Sequence, residues 1–278
     1  MAGTGFSNSM VVAELRYIQS VREAREFKNP DTWVRRFIPT FRRWQCALLS
    51  SRKLADLRSD PFYYYLVART EYYDRLFLNA IEDNVRFIIN VGCGTDTRPY
   101  RFNDALEKKG IKVLECDQPV AIAQKEEMSR RQGVFDHVAY MSVNLNDAAW
   151  PELESWLSRN RTGKGFVFME GVSPYVNTDT FDRFLSLLAK ELLPGSRVAY
   201  DFKLNGVKDD FGRTGRTQHP FRLPAARETI SDYHKKFGYR LEHMELGSEL
   251  SVRLLAGIKQ MGAALFEEDA LLQLEVMD

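Results

Sequence analysis

The sequence predicts an α/β fold: a parallel sheet preceded by a block of helices. Three observations carry this. From Arg86 onward short apolar runs alternate with helical patterns, the signature of parallel strands joined by crossover helices. One run, Phe87-Ile88-Ile89-Asn90-Val91, passes straight into Gly92-Cys93-Gly94, so a buried strand meets a sharp glycine turn that opens a charged helix. Upstream, from about Asn8 to Asp83, only helical periodicity is found.

Val11, Val12, Leu15, Ile18 and Val21 define the first helix, with Arg16, Arg22 and Arg25 on its other faces. Asn29-Pro30-Asp31 breaks it, and Asp31 can cap a second helix carrying Trp33, Val34, Phe37, Phe41, Trp44 and Leu48. Asp60-Pro61 opens a third, aromatic helix with Phe62, Tyr63, Tyr64, Tyr65, Tyr72, Tyr73 and Phe77. Residues 1–84 are therefore read as a helical cap or lid, and 85–278 as the core. Ile111–Asp117 is the second strand, Ala139–Val143 the third, Gly165–Glu170 the fourth and Arg197–Phe202 the fifth. An amphipathic helix, Asp179–Leu193, ends at Pro194-Gly195. The polar, glycine-containing stretch Lys203–Pro224 is long for a loop, which suits a lid or binding loop over an acceptor. A helix near Ala225–Phe237, then Arg240–Leu246 and Leu271–Val276, would close a seven-stranded sheet.

At 278 residues the chain holds one large α/β domain with an appended helical element. Charged residues are 28% and the net charge is +1, and no basic block interleaved with aromatics stands out, which argues against nucleic acid as partner. The N-terminus lacks a basic region followed by an apolar core, and no apolar stretch approaches the roughly 18 residues needed to cross a bilayer. Cys46, Cys93 and Cys116 are too few for a disulfide framework, and the four histidines lack metal-ligand spacing. The expectation is a cytoplasmic protein with no metal and no membrane or nucleic-acid partner.

The chemistry starts at the glycine turn. A dinucleotide site wants a third glycine or alanine three positions after Gly94. Thr97 stands there, beside Asp96. A carboxylate in that turn repels a pyrophosphate but suits a cationic ligand such as S-adenosylmethionine (SAM), which has a sulfonium, an ammonium, a ribose and no phosphate. Asp117, at the end of the second strand, lies about 20 residues beyond the turn, the usual distance for a carboxylate that binds ribose hydroxyls. It could also cap the helix that begins near Pro119, and both roles can hold at once.

Four blocks are similar to the leucine carboxyl methyltransferase family, whose bacterial members include methyltransferases of polyketides and other specialised metabolites: Ala68–Asp74, Val91–Arg98, Asp117-Gln118-Pro119 and Glu170–Tyr175. The resemblance implies a Rossmann-like, seven-stranded methyltransferase sheet with an N-terminal helical cap, and SAM as cofactor. It implies that Arg69 grips the methionine carboxylate, as a guanidinium fork can. The alternative for Arg69 is an ion pair with Glu71 or Asp74. Gly92, Cys93 and Gly94 with Asp96 would form the platform, and Asp117-Gln118 would meet the ribose. Asn144-Leu145 stands where the family has an acidic residue and leucine at the adenine. Glu170 would lie near the amino group. Arg98 would buttress the site through Asp96 or a helix end, and Arg16 or Arg22 would supply a basic contact from the first helix.

Methyl transfer is an in-line displacement in which alignment can contribute about 7–11 kcal/mol. A carboxylate acceptor needs no base, whereas a hydroxyl benefits from one. His219 is the candidate base, since imidazole is the side chain titrating closest to neutrality. Otherwise it is a solvated loop histidine. Tyr175 and Asp201 could orient the acceptor, or serve structure or SAM. The reading is an O-methyltransferase acting on a hydroxyl or carboxyl of a small molecule, of polyketide or peptide type. The alternatives are a carboxyl methyltransferase of a protein C-terminal leucine and a non-catalytic SAM-binding protein.

Overall fold

The computed structural model describes residues 4–206 and 219–278. Helices come first: α1 (Thr4–Arg22), α2 (Thr40–Ala47), α3 (Ser51–Ser59) and α4 (Pro61–Glu82). Two 3-10 turns, Arg25–Phe27 and Trp33–Arg36, separate α1 from α2. The single long helix expected from Trp33 to Leu48 is thus divided. Pro39 is the cause, since it disfavours helical backbone at Ile38 before it and lacks the N–H that would continue the ladder. Asp31 stands one residue before Thr32, the cap position of the Trp33–Arg36 turn, and its Oδ1 accepts the Val34 N–H at 3.0 Å. Asp60 likewise opens α4 by accepting from Phe62 N at 2.9 Å, with Pro61 in the first turn.

The sheet follows. β1 (Phe87–Val91) leads through α5 (Arg98–Arg101) and α6 (Asn103–Lys109) to β2 (Lys112–Asp117). α7 (Pro119–Arg130) connects β2 to β3 (Val138–Ser142), and α8 (Pro151–Asn160) connects β3 to β4 (Gly165–Met169). α9 (Thr178–Glu191) precedes β5 (Arg197–Leu204), and the short β6 (Arg222–Leu223) precedes α10 (Arg227–Lys235). β7 (Tyr239–Leu246), α11 (Gly247–Leu254) and β8 (Asp269–Val276) complete the chain. The strand order is β3-β2-β1-β4-β5-β8-β7, with β6 off this path beside β5. β8 runs antiparallel to both its neighbours, and the pairings from β3 to β5 are parallel. The closing pair of strands therefore exists, and it completes seven strands along the main path.

The segment expected as a loop from Lys203 to Pro224 is paired at both ends, since Lys203 faces Arg222 and Leu204 faces Leu223 in register. Its middle, 207–218, lies outside the described residues. Three helices had no clear sequence pattern and emerge here: α3, α8 and α11.

Alternation along the strands builds two cores. Phe87, Ile89, Val91, Leu114, Val167 and Val198 face Phe181, Phe184 and Leu188 of α9. Ile88, Val113, Phe166, Phe168 and Ala199 face the other way, onto Tyr73, Phe77 and Ile81 of α4. α4 is thus one of the layers covering the sheet. Strand order reverses between β1 and β4, so the carboxyl ends of these two strands border the switch point where open α/β sheets bind ligands.

Candidate active site

The turn after β1 takes left-handed backbone at Gly92 (φ 74°) and Gly94 (φ 40°). Gly92 N and Cys93 N both donate to Cys116 O, at 2.7 and 3.0 Å, tying the turn to the end of β2. Gly94 N donates to Asp117 Oδ2 at 2.8 Å, and Gln118 N to Asp117 Oδ1 at 2.7 Å. Asp117 therefore braces the glycine turn and is not an N-cap of α7, whose flanking residue is Gln118. Burial raises its pKa, and the two N–H donors oppose that. Glycine is required here by packing as well as by φ. A Cβ on Gly92 would meet Val172 Cγ2 at 2.3 Å, and one on Gly94 would meet Ser9 Cβ of α1 at 2.9 Å.

A buried ion network fills the space between the turn and α4. Arg69 pairs with Glu170 (Nε to Oε1, 3.2 Å) and Asp201 (Nη1 to Oδ2, 3.4 Å), not with Glu71 or Asp74. Its Nε lacks hydrogen-bond geometry toward any side chain, which leaves an orphaned buried donor. Burial alone would lower the Arg69 pKa, yet Glu170 and Asp201 raise it. Arg98 does buttress the site. Its backbone N and Nη1 both donate to Asp96, at 2.8 and 2.6 Å, and it also reaches Glu170 Oε2 (2.9 Å), Asp74 Oδ1 (2.8 Å) and Thr70 O (3.2 Å). Burial works to raise the Asp96 pKa, but Arg98 and Lys125 prevail and hold it at about 2. Of the two first-helix arginines, Arg16 reaches the turn, donating to Thr95 O and Oγ1 at 3.0 Å and pairing with Asp31 at 2.9 Å. Arg22 instead donates to Ala47 O and Leu49 O. Thr97, where a dinucleotide fold keeps glycine, donates to Asp31 Oδ1 at 2.6 Å.

Asp201 is buried and fully engaged: its Oδ1 accepts from Tyr73 OH at 3.0 Å and Gly171 N at 2.7 Å. With Arg69 on its other oxygen, it ties β5 to the turn after β4 and to α4, so the geometry fits a structural role better than acceptor contact. Asn144 closes a local turn, donating to Asp147 Oδ1 (2.7 Å) and accepting from Asn146 N (3.2 Å), while Leu145 is buried. Tyr175 O accepts from Asn146 Nδ2 at 2.8 Å. His219 is exposed, and its carbonyl accepts from Thr178 N at 3.0 Å. Asn146 also accepts from Asn177 N (3.1 Å), which faces Pro220, so Asn144, Tyr175 and His219 share one flank of the rim. This flank meets Asp117 at the end of β3, where Val143 N donates to Asp117 O at 2.8 Å, and none of the contacts just named joins it to Arg69.

A buried trio, Lys125, Glu115 and Tyr100, is not singled out by sequence pattern. Lys125 is fully buried below the turn, where Nζ donates to Asp96 O (2.6 Å) and pairs with Glu115 Oε1 (3.0 Å). Tyr100 OH donates to Glu115 Oε2 at 2.6 Å. The signal was a lysine on the same helical face as Ala121, Ile122 and Ser129, and a glutamate inside an apolar strand.

The residues fit SAM chemically. Each Asp117 oxygen carries one anchored N–H and has a lone pair left for a hydroxyl donor, and Arg69 offers its buried, unsatisfied Nε. A ligand resting on the glycine backbone must displace Val172 and Ser9. Among the described residues no group of three His, Cys, Asp or Glu could hold a metal, and no helix is long and apolar enough to cross a membrane.

The sequence model of the leucine carboxyl methyltransferases matches residues 9–189, well over half of the chain. A candidate S-adenosyl-L-methionine-dependent methyltransferase of Mycobacterium bovis (strain BCG / Pasteur 1173P2) is 27% identical over 173 residues, covering 62% of this chain and 54% of that protein. One of Mycobacterium sp. (strain KMS) is 29% identical over 189 residues, covering 67% and 57%. The chain spans little more than half the length of these relatives. Among solved structures, a candidate methyltransferase of Thermobifida fusca superposes with TM-score 0.55 at 12% identity, over 82% of this chain and 88% of that one. Magnesium protoporphyrin IX methyltransferase of Synechocystis PCC 6803, solved with SAH, gives TM-score 0.50 at 12% identity over 91% and 97%. These two likenesses show the Rossmann-like methyltransferase fold.

Proposed function

We propose that this chain, which belongs to the leucine carboxyl methyltransferase family, is a SAM-dependent O-methyltransferase acting on a hydroxyl or carboxyl oxygen of a small molecule. The observation that carries the reading is Asp117 at the end of β2, braced by two N–H donors, together with buried Arg69 paired to Glu170 just beyond β4. Asp117 and Glu170 thus stand at the carboxyl ends of strands on either side of the reversal of strand order. When bound, SAM supplies an electrophilic methyl on a positively charged sulfur. Asp117 would hold the ribose hydroxyls, with Gln118 beside it, and Arg69 the methionine carboxylate. Glu170 would attract the ammonium, Asn144 and Leu145 would border the adenine, and Gly92, Cys93, Gly94 and Asp96 would form the floor. Asp201 positions Arg69. Tyr175 and His219, on the flank they share with Asn144, would face the acceptor, and His219 would take the proton of a hydroxyl acceptor.

Isothermal titration with SAM and its demethylated product tests the binding half. Arg69→Ala and Asp117→Ala should each weaken affinity by roughly 10-fold or more, the scale of a lost hydrogen bond to a charged group. Unchanged affinity in both would end the assignment. Turnover is read by mass spectrometry of a metabolite extract supplied with labelled donor. A labelled ester, lost on mild base hydrolysis, indicates a carboxyl acceptor, and a base-stable ether a hydroxyl. SAM binding with no labelled product would favour the non-catalytic alternative, and labelling of a protein C-terminus the protein-directed one.

A further inference from the structure

Phe41, Trp44 and Leu48 stand on α2 and its C-terminal flank at steps of three and four, so they form one stripe along the helix. They are 71%, 66% and 77% exposed. The helix is firmly seated by its other sides. Arg42 pairs with Glu14 of α1, Arg22 of α1 caps the Ala47 and Leu49 carbonyls, and Cys46 is buried. The stripe is therefore displayed by an anchored helix.

The sequence around it is strongly cationic, a local mix of basic and aromatic residues that the near-neutral balance of the whole chain conceals. No acidic residue occurs between Asp31 and Asp56, while Arg35, Arg36, Arg42, Arg43, Arg52 and Lys53 do, in a chain whose net charge is only +1. Arg42 is partly neutralised by Glu14, and Arg36 lies over the Trp33 ring at 4.3 Å. Arg35, Arg52 and Lys53, before and after the stripe, are exposed.

We propose that α2 is a docking element for an anionic lipid surface. Phe41, Trp44 and Leu48 enter the boundary between headgroups and acyl chains, and the flanking arginines and lysine meet the lipid phosphates. Aromatic and leucine side chains along one edge, with Arg and Lys around them, is the composition of helices that lie in a membrane interface. Neither component suffices alone: three side chains give limited apolar burial, and surface charges are screened by salt. A single-stranded nucleic acid would stack on the rings but has no use for Leu48. The stripe projects from a single helix. Because α1, on which α2 is seated, also places Ser9 against Gly94, docking would set the glycine turn one helix away from the membrane. The inference stands independently of the catalytic reading, because its readout is binding.

The test uses the full chain in co-sedimentation with vesicles of phosphatidylcholine alone and of phosphatidylcholine mixed with phosphatidylglycerol. Binding to the mixed vesicles is expected at low ionic strength, falling as salt rises. The triple variant F41S/W44S/L48S, with circular dichroism confirming its fold, should bind roughly tenfold or more weakly, as expected when three buried side chains are lost. Tryptophan emission should shift to the blue on mixed vesicles, and W44F should abolish the shift. Wild-type protein left in the supernatant with mixed vesicles, or a triple variant that sediments like wild type, overturns the proposal. So does light scattering that shows a wild-type dimer made monomeric by the triple variant, because the stripe would then be a self-interface.

Discussion

At the scale of single residues, the chain places its strongly perturbed histidine away from the rim. His219, the sequence candidate for a base, is exposed. His234 on α10 is fully buried, with Nδ1–H donating to Ile230 O at 2.6 Å and Nε2 accepting from Tyr200 OH. Burial lowers its pKa to about 4, against a weaker opposing pull from the Ile230 carbonyl. The sign follows from linkage. The unfolded chain takes up the proton first, so the contribution is complete above pH ~6.5 and is lost as pH falls toward ~4, amounting to about 3 kcal/mol. Urea unfolding of wild type and His234→Gln across that window should show wild type losing about that much more stability than the variant. Parallel curves would mean that His234 is not held neutral. Nothing in the sequence singled out His234, because its burial comes from contact with β5, more than thirty residues away. Arg69 shows the complementary case. Its type and block pointed to a ligand role, but its partners, Glu170 and Asp201, come from strands distant in sequence.

At the scale of elements, the strands were legible because a parallel sheet covered on both faces writes its strands as apolar runs. β1 and β4 are buried at every position, and both were read to within one residue of their ends. The helical face carrying Phe41, Trp44 and Leu48 was also legible as a face, but periodicity says which residues align and not what covers them. α3 and α11 were missed because their apolar residues are few. The glycine turn is an element whose demands can be separated. Gly92→Ala should cost about 2–4 kcal/mol, combining left-handed strain with overpacking against Val172. That corresponds to a Tm lower by roughly 4–16 °C for a chain of this size. Adding Val172→Ala should restore only the packing share, leaving the cost of φ 74° in place. Differential scanning calorimetry of the two variants gives the partition, and a wild-type Tm for Gly92→Ala would contradict it.

At the scale of the molecule, the boundary drawn near residue 84 marks a change of element type, whereas the packing crosses it. α4 lies ahead of that boundary and buries Tyr63, Tyr65, Tyr73, Phe77 and Ile81, part of the core that also holds Ile88, Val113, Phe166, Phe168 and Leu271 of the sheet. Each large side chain on that sheet face contributes about 1.5–3 kcal/mol by burial, and a domain's whole margin is only about 5–15 kcal/mol. A fragment of residues 85–278 would expose a full face of the sheet together with Arg98, whose partners Asp74 and Thr70 belong to α4. It should therefore fail to unfold cooperatively and should bind ANS as an expanded state. A fragment starting at Asp60 keeps α4 over the sheet, and loses α1 to α3 with the Arg16 and Asp31 contacts to the turn and the bonds of Gln19, Glu23 and Asn29 to α4. It should retain a cooperative transition at a lower midpoint, and bind SAM more weakly than the full chain. Cooperative melting of 85–278 would restore the cap to the status of a separate unit, and a fragment from Asp60 that binds SAM like the full chain would remove α1 from the site.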